Sequence, residues 1–327
     1  MKSKYVLLQT EPDRFSVEAR NLLENFCEIK AGPFTRSQLI EEAKNANVLF
    51  VRLQHKIDKE VILAAPNLKV IASATTGLDH IDVKTAQHAG IQIVSLRGEV
   101  DFLRTVTATA ELSWGLMLSL LRRIPEAYQD VLSGNWQRDL FEGSELKGKT
   151  LSIIGMGRLG RMVASYAQAF DVKVVVYDPY VEDLPESVER LSFESVLRQA
   201  DIVSIHVPLN DETTHMFNEH AFEMMKPTSV LVNTSRGAVI NSQSLLKALL
   251  ENRIAGAALD VLEDEIQGNF TMKDNVLVRY AAKHRNLLLT PHIGGLTIES
   301  LKKSECFIAR KIEKTLFNTA EKFGTSL

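Results

Sequence analysis

At 327 residues the chain is long enough for two domains of ordinary size, each with its own core. Its formal net charge is −3, with 38 Lys and Arg spread along the chain against 41 Asp and Glu, which leaves no electrostatic footprint for nucleic acid. Cys27 and Cys306 are too few and too far apart for a disulfide framework or a metal cluster, so no metal is expected and a reducing, cytoplasmic setting follows. The N-terminal MKSKYVLLQTEP has too short an apolar run for a signal-peptide core, and no later stretch has the length of a membrane span.

Taken in chain order, short apolar runs alternate with helical patterns, which predicts βαβ units and parallel sheets. The first runs are Tyr5–Leu8, Cys27–Lys30, Val48–Val51, Val70–Ala74 and Ile91–Val94, with helical patterns such as Ser37–Asn45 and Asp58–Ala64 between them. They carry no phosphate-binding fingerprint, so residues 1–100 are assigned to a substrate-binding domain. Thr105 to Arg123 follows, a helix apolar on most faces that must be buried, either as an interdomain core helix or in a subunit interface. The second set of runs is Leu151–Ile154, Lys173–Tyr177, Ile202–Ile205, Val230–Val232, Ala255–Leu259 and Leu287–Leu289. Six parallel runs suit a doubly wound nucleotide-binding domain over residues 101–295. A last helical pattern, within 296–327, is expected to return and complete the first domain, with its Lys302, Lys303, Arg310, Lys311 and Lys314 on a solvated face.

The segment LSIIGMGRLG, from Leu151 to Gly160, feeds a β-branched run into a Gly-x-Gly-x-x-Gly loop that opens a helix. Gly155 permits the tight turn, Gly157 lets backbone approach a pyrophosphate, and Gly160 lets helix pack on strand, with the helix N-terminus facing the anion. Asp178 closes the next run about 20 residues later, where a carboxylate can accept hydrogen bonds from the adenosine ribose. The expected cofactor is therefore a dinucleotide, and Asp178 favours NAD over its 2′-phosphorylated form.

In doubly wound sheets ligands sit beyond the carboxyl ends of the strands. That rule brings Gly155, Asp178, His206, Thr234 to Arg236, Asp260 and His292 into view. Hydride transfer to a carbonyl leaves an alkoxide that must be protonated, and a histidine suits that exchange near neutral pH. His292 in TPHIGG is the best proton donor. Glu265 would hold its imidazole and favour the charged form, and Arg236 in NTSRGAV offers a planar fork for a substrate carboxylate.

Eight motifs in order resemble the D-isomer-specific 2-hydroxyacid dehydrogenases, including short D-3-phosphoglycerate dehydrogenases and glyoxylate/hydroxypyruvate reductases. They are TTGLDHID from Thr75, ATAELSWGLML from Ala108, GNWQR from Gly134, ELKGKTLSIIGMGRLG from Glu145, VPLNDET from Val207, MMKPTSVLVNTSRGAVI from Met224, GAALDVLEDE from Gly256 and TPHIGG from Thr290. The resemblance implies an α/β fold of two domains, a Rossmann-type NAD-binding domain and a smaller flavodoxin-like substrate domain. It implies Arg236, Glu265 and His292 as catalytic residues, and cofactor contacts from Arg158, Leu159, Asp178, Thr234 and Asp260, the last at the nicotinamide amide. It further implies that the amides of Thr76 and Gly77, with Arg52 nearby, hold the substrate carboxylate together with Arg236.

The chain departs from the family at Thr75, where Gly is usual, at Leu53, often small and polar, and at Ile266, where Pro is usual. The stretch from Glu265 to His292 is also longer than usual, with an added helical-looking NVLVRYAAKHR. His206 and His80 are expected in structural or near-cofactor roles. The predicted function is NAD-dependent hydride transfer at C2 of a small D-2-hydroxyacid or 2-oxoacid, by a homodimer. The acid is open: hydroxypyruvate, glyoxylate or pyruvate, or 3-phosphoglycerate if Arg52, His55, Lys56 and Arg97 supply positive charge. The alternative is an NAD(H)-sensing scaffold or corepressor on the same fold, which would need no Arg, Glu and His set. Glu265 argues against a formate dehydrogenase, a group that pairs its histidine with Gln.

Overall fold

A computed structural model describes residues 4–263, 265 and 271–323, and divides them into two compact units. The smaller takes residues 4–106 and 297–323, and the larger 107–263, 265 and 271–296.

The smaller unit is built from β1 (Tyr5–Gln9), α1 (Val17–Glu24), β2 (Cys27–Ala31), α2 (Arg36–Ala43), β3 (Val48–Val51), α3 (Lys59–Leu63), β4 (Val70–Ser73), α4 (Val83–His88), β5 (Gln92–Val94) and α5 (Val100–Leu103). All pairings are parallel, in the order β2-β1-β3-β4-β5. That is the flavodoxin-like order, whose direction reverses between β1 and β3. Both β3 and β4 are buried along their whole length, as a parallel strand covered on two faces must be, which is why they read as unbroken apolar runs. The helices start where side chains satisfy their first amides. Ser16 accepts from Ala19, Thr35 and Gln38 close a capping box, and Asp58 and Asp82 cap the next two.

The larger unit contains α6 (Ala108–Leu121), α7 (Ile124–Leu132), β6 (Thr150–Ile154), α8 (Arg158–Ala169), β7 (Lys173–Tyr177), β8 (Val188–Arg190), α9 (Phe193–Gln199), β9 (Ile202–Ile205), α10 (Glu219–Met224), β10 (Val230–Asn233), α11 (Ser242–Leu250), β11 (Gly256–Leu259), α12 (Val276–Ala281) and β12 (Leu287–Leu289). Its strands lie in the order β12-β11-β10-β9-β6-β7-β8. Counted from β6, this is the 3-2-1-4-5-6 doubly wound order with one strand added, so the crevice at the reversal falls between β6 and β9. The edge strand β8 was not expected. It is a short edge strand of sequence VER, half exposed and without an apolar run, paired only to β7. The apolar helix expected in the 105–123 region is α6, whose Ala110, Trp114 and Met117 enter the core, where α6 packs against α8, β10 and β11. The helical-looking insertion after Glu265 forms α12, while Ile266 lies outside the described residues.

The last helix, α13 (Ile298–Phe323), packs Ile308, Ala309, Ile312 and Leu316 into the core of the smaller unit. Its basic residues are partly engaged. Lys302 pairs with Glu18, Lys303 donates to the Thr105 carbonyl, and half-buried Lys311 meets Glu99 at 2.5 Å and the Ser95 carbonyl at 3.1 Å.

Candidate active site

The glycine loop follows β6, and its three glycines face three different constraints. Gly155 has φ +94°, and a Cβ there would stand 2.9 Å from the His206 carbonyl oxygen. At Gly160 a Cβ would lie 2.1 Å from the Gly155 carbonyl oxygen, so only glycine lets α8 sit this close to the loop. A Cβ on exposed Gly157 would meet nothing within 4 Å, so the space beside it is open. Gly157 is also the N-cap of α8 and supplies no side-chain acceptor, unlike Ser192 before α9 or Asn241 before α11. An N-cap without a side-chain acceptor, a helix N-terminus and open space fit a pyrophosphate, and the loop residues suit a dinucleotide. Arg158 and Leu159, both half-buried, start the helix at this point.

Asp178 ends β7 beside the loop. Its Oδ2 accepts from Met156 N at 2.7 Å, and its Oδ1 from the amides of Tyr180 at 2.9 Å and Val181 at 3.0 Å. The carboxylate therefore ties the glycine loop to the turn after β7, and three bonds leave part of its acceptor capacity for a hydroxyl. His206, past β9, is half-buried, with Nδ1 enclosed and Nε2 2.8 Å from Ser204 Oγ. Burial pushes its pKa down to about 4, so it is a neutral imidazole near pH 7 and unsuited to supply a proton.

After β10 the chain turns sharply. Asn233 builds the turn, its Oδ1 accepting from Ser235 N at 2.9 Å and its Nδ2 donating to the Arg236 carbonyl at 2.9 Å. Thr234 is buried with its hydroxyl 2.7 Å from Ser113 Oγ. Arg236 is half-buried, with Nη1 donating to the Ser235 carbonyl at 2.7 Å. Asn233 was missed in the sequence reading. An Asn at the last position of a strand, ahead of Thr-Ser-Arg-Gly, is a side-chain-to-backbone turn signal that could have found it.

The histidine loop follows β12. His292 has φ +52°, unusual for a residue with a Cβ. Its amide donates to the Asp260 carbonyl at 2.8 Å, and the Asp260 carboxylate accepts from Thr290 Oγ1 at 2.6 Å and from the amides of Ile293 and Gly294 at 2.8 Å each. Buried Asp260 thus grips the loop through three atoms, and burial raises its carboxyl pKa despite those bonds. His292 Nδ1 lies 2.7 Å from Glu265 Oε1, while Glu265 Oε2 accepts from Leu262 N at 3.2 Å. An ionised Glu265 can only accept, so the proton between them sits on Nδ1 and Nε2 remains for exchange with a ligand. The turn of Arg236 abuts the glutamate loop: a Cβ on Gly237 would come within 2.0 Å of the Leu262 carbonyl carbon.

In the smaller unit the residues in view lie past β3 and β4. Arg52 Nη2 meets Glu305 Oε1 and the Asp13 carbonyl, each at 3.1 Å, which pairs one edge of its guanidinium with a buried carboxylate. Thr76 and Gly77 lie in the loop after β4, and among the described residues neither backbone amide donates a hydrogen bond. Thr75, at the family's glycine position, donates its hydroxyl to the Gly77 carbonyl at 2.7 Å and lies 2.8 Å from Ser73 Oγ, which in turn meets buried His80 Nε2 at 3.2 Å. Of the cations considered for a phosphate, burial, with the Arg36 charge adding to it, holds the pKa of His55 below the usual imidazole value.

The chain matches the family described as D-isomer specific 2-hydroxyacid dehydrogenase, NAD binding domain, over residues 114–294. It belongs to that family. Among curated proteins the dehydrogenase is 36% identical to a glyoxylate reductase of Thermococcus litoralis, over 95% of this chain and 93% of that one. It is 37% identical to a D-3-phosphoglycerate dehydrogenase of Methanocaldococcus jannaschii, over 95% of this chain but 57% of the relative. The solved D-lactate dehydrogenase of Aquifex aeolicus, complexed with NAD and lactic acid, superposes with a TM-score of 0.83 at 29% identity, covering 97% of this chain and 96% of that one. The protein is an NAD-dependent D-2-hydroxyacid dehydrogenase. No similarity supports the scaffold or corepressor alternative. Among the described residues no helix is long and apolar enough to cross a membrane, and no group of His, Cys, Asp and Glu could hold a metal ion.

Proposed function

We propose that Arg236, Glu265 and His292 reduce the C2 carbonyl of a small 2-oxoacid to the D-alcohol, and that the 2.7 Å contact between His292 Nδ1 and Glu265 Oε1 is the observation that carries this reading. NADH, when bound, supplies the hydride. His292 Nε2 gives its proton to the carbonyl oxygen as the hydroxyl forms, and Glu265 stabilises the imidazolium beforehand and keeps Nε2 turned to the substrate. Arg236 holds the substrate carboxylate in a two-pronged grip and draws electron density from the adjacent carbonyl. The amides of Thr76 and Gly77 in the smaller unit are donors that suit a carboxylate. The reverse reaction uses His292 as base.

For the cofactor, the amides at the start of α8 and the space beside Gly157 receive the pyrophosphate, with Arg158 and Leu159 alongside. Asp178 accepts from the adenosine ribose, and Thr234 and Asp260 flank the nicotinamide. The names of the relatives point to glyoxylate and hydroxypyruvate as first substrates. The pairing of Arg52 with Glu305 and the lowered pKa of His55 favour an unphosphorylated acid over 3-phosphoglycerate.

The protein works as a homodimer in a reducing, cytoplasmic setting, where Cys27 and Cys306 stay thiols. Exposed Tyr128, Val131, Leu132 and Trp136, the last 85% exposed, cluster on and just after α7 and form an apolar surface that a second copy would cover. Light scattering of Trp136→Glu tests this, with a monomer expected.

The deciding assay is NADH oxidation over glyoxylate, hydroxypyruvate, pyruvate and phosphohydroxypyruvate. Turnover of at least one acid, lost in His292→Ala while NADH still binds, is expected. An active His292→Ala would overturn the assignment of the proton donor.

A further inference from the structure

Two carboxylates leave the same loop after β11, and they go to different histidines. Glu265 meets His292, and Glu263 meets His215. We propose that His215 and Glu263 are positioning residues for the Glu265–His292 pair, acting by anchoring the loop that carries Glu265. The inference rests on the function proposed above for that pair.

The contacts form a closed set. Glu263 Oε1 lies 2.6 Å from His215 Nε2, and Glu263 Oε2 accepts from the Ser242 amide at 3.1 Å. Ser242 is the first residue of α11, so the carboxylate also faces the positive end of a helix. Burial works against the charge of Glu263, yet the hydrogen bonds from Ser242 and His215 hold its pKa below the usual carboxylate range. His215 is itself held, in a left-handed conformation with φ +52°, by its amide donating to the Ala238 carbonyl at 2.8 Å. Two residues on, Phe217 N donates to the Val239 carbonyl at 3.0 Å, and Asn241 N donates to the Phe217 carbonyl at 3.0 Å. Glu263 therefore ties the glutamate loop to a zipped segment that begins next to Arg236.

The step from anchor to site is one residue long. Leu262 precedes Glu263, its amide donates to Glu265 Oε2, and its backbone lies against Gly237 with no room for a side chain between. Freeing Glu263 loosens Leu262, and Leu262 is the group that aims the Glu265 carboxylate at His292. Reacting groups lose rate steeply when displaced by an ångström, so an anchor outside the reacting shell can still govern turnover.

The test is a double-mutant cycle of Glu263→Ala and Glu265→Ala in the full-length protein, assayed by NADH-dependent reduction of glyoxylate and hydroxypyruvate. Glu263→Ala should lower kcat about tenfold with NADH affinity unchanged, and Glu263→Gln should recover most of it because an amide oxygen still accepts from Ser242. In the Glu265→Ala background Glu263→Ala should cost nothing further. His215→Phe should give a smaller loss of the same kind, and serves if Glu263→Ala does not fold. Equal losses in both backgrounds, or an unchanged kcat, would overturn the proposal. A second readout needs no substrate: the downfield proton resonance of the His292 Nδ1–H bonded to Glu265, identified by its loss in His292→Ala, should shift or broaden in Glu263→Ala. A resonance that stays put overturns the positioning role, whereas a wild type that reduces none of the acids overturns the proposed function and leaves this resonance to decide the anchor.

Discussion

The enclosed imidazole of half-buried His206 makes the stability of the larger unit depend on pH in a way that can be calculated. Its pKa is held down to about 4 in the folded protein, against 6.5 for an ordinary imidazole, because burial penalises the charged form. Between those two values the unfolded chain binds a proton that the folded protein refuses, so stability is complete above about pH 6.5 and is lost as the pH falls. At pH 5 the loss attributable to this residue is about 2 kcal/mol, approaching about 3 kcal/mol below the folded value. The perturbation is His206→Gln, whose amide can still bond Ser204 but does not titrate in this range. The assay is urea unfolding of both proteins at pH 7.5 and pH 5. Acids raised by burial, buried Asp260 and Glu305 and half-buried Glu11, contribute with the opposite sign, but they are common to both proteins and cancel in the difference. The wild type should lose about 2 kcal/mol more than the variant on acidification. Parallel losses in the two proteins would refute the claim that His206 is held neutral by burial.

Three further outcomes follow from the site. Gly157→Ala should fold normally, since a Cβ there meets nothing within 4 Å, yet bind NADH at least about tenfold more weakly because the methyl takes up pyrophosphate space; Gly160→Ala should disrupt the loop itself, with a Cβ 2.1 Å from the Gly155 carbonyl oxygen. Isothermal titration with NADH and thermal melts separate the two. Arg236→Ala should reduce kcat/KM for the 2-oxoacid by about tenfold to a hundredfold, with Arg236→Lys recovering only part, and an amide analogue of the substrate should be a poor substrate for the wild type and little worse for Arg236→Ala. NADH should be strongly preferred to NADPH, because the Asp178 carboxylate lies where a 2′-phosphate would be repelled; equal kcat/KM for the two would remove that role.

Much of the architecture was legible because its determinants are local. A strand buried on both faces must be an unbroken apolar run, as in Val48–Val51 and Ile202–Ile205, and a turn at φ +94° next to a crowded carbonyl must be glycine, as at Gly155. The start of α3 was legible for the same reason, since Asp58 bonds to amides within three residues. The edge strand β8 was not, because a half-exposed VER has no burial pattern to betray it.

The site divides along the same line. Residue types and order alone named Arg236, Glu265 and His292, because hydride and proton transfer need a fork, a carboxylate and an imidazole at strand ends. The pairing of Glu265 with His292 was already expected from the sequence, and the other partners were decided only by the tertiary structure. Nothing in the string VLEDE says that Glu263 meets His215 and Ser242, since a loop lacks the periodicity that assigns side chains to faces. The pairing of Arg52 with Glu305 was equally invisible, joining residues separated by 253 positions and turning a cation in the sequence into half of a buried pair in the fold. Asp260 could be placed at a strand end by its neighbours, but its grip on Thr290, Ile293 and Gly294 depends on β11 and β12 lying side by side. Local sterics and burial period are written in adjacent residues, whereas the bonds that aim an imidazole form between segments that only folding brings together.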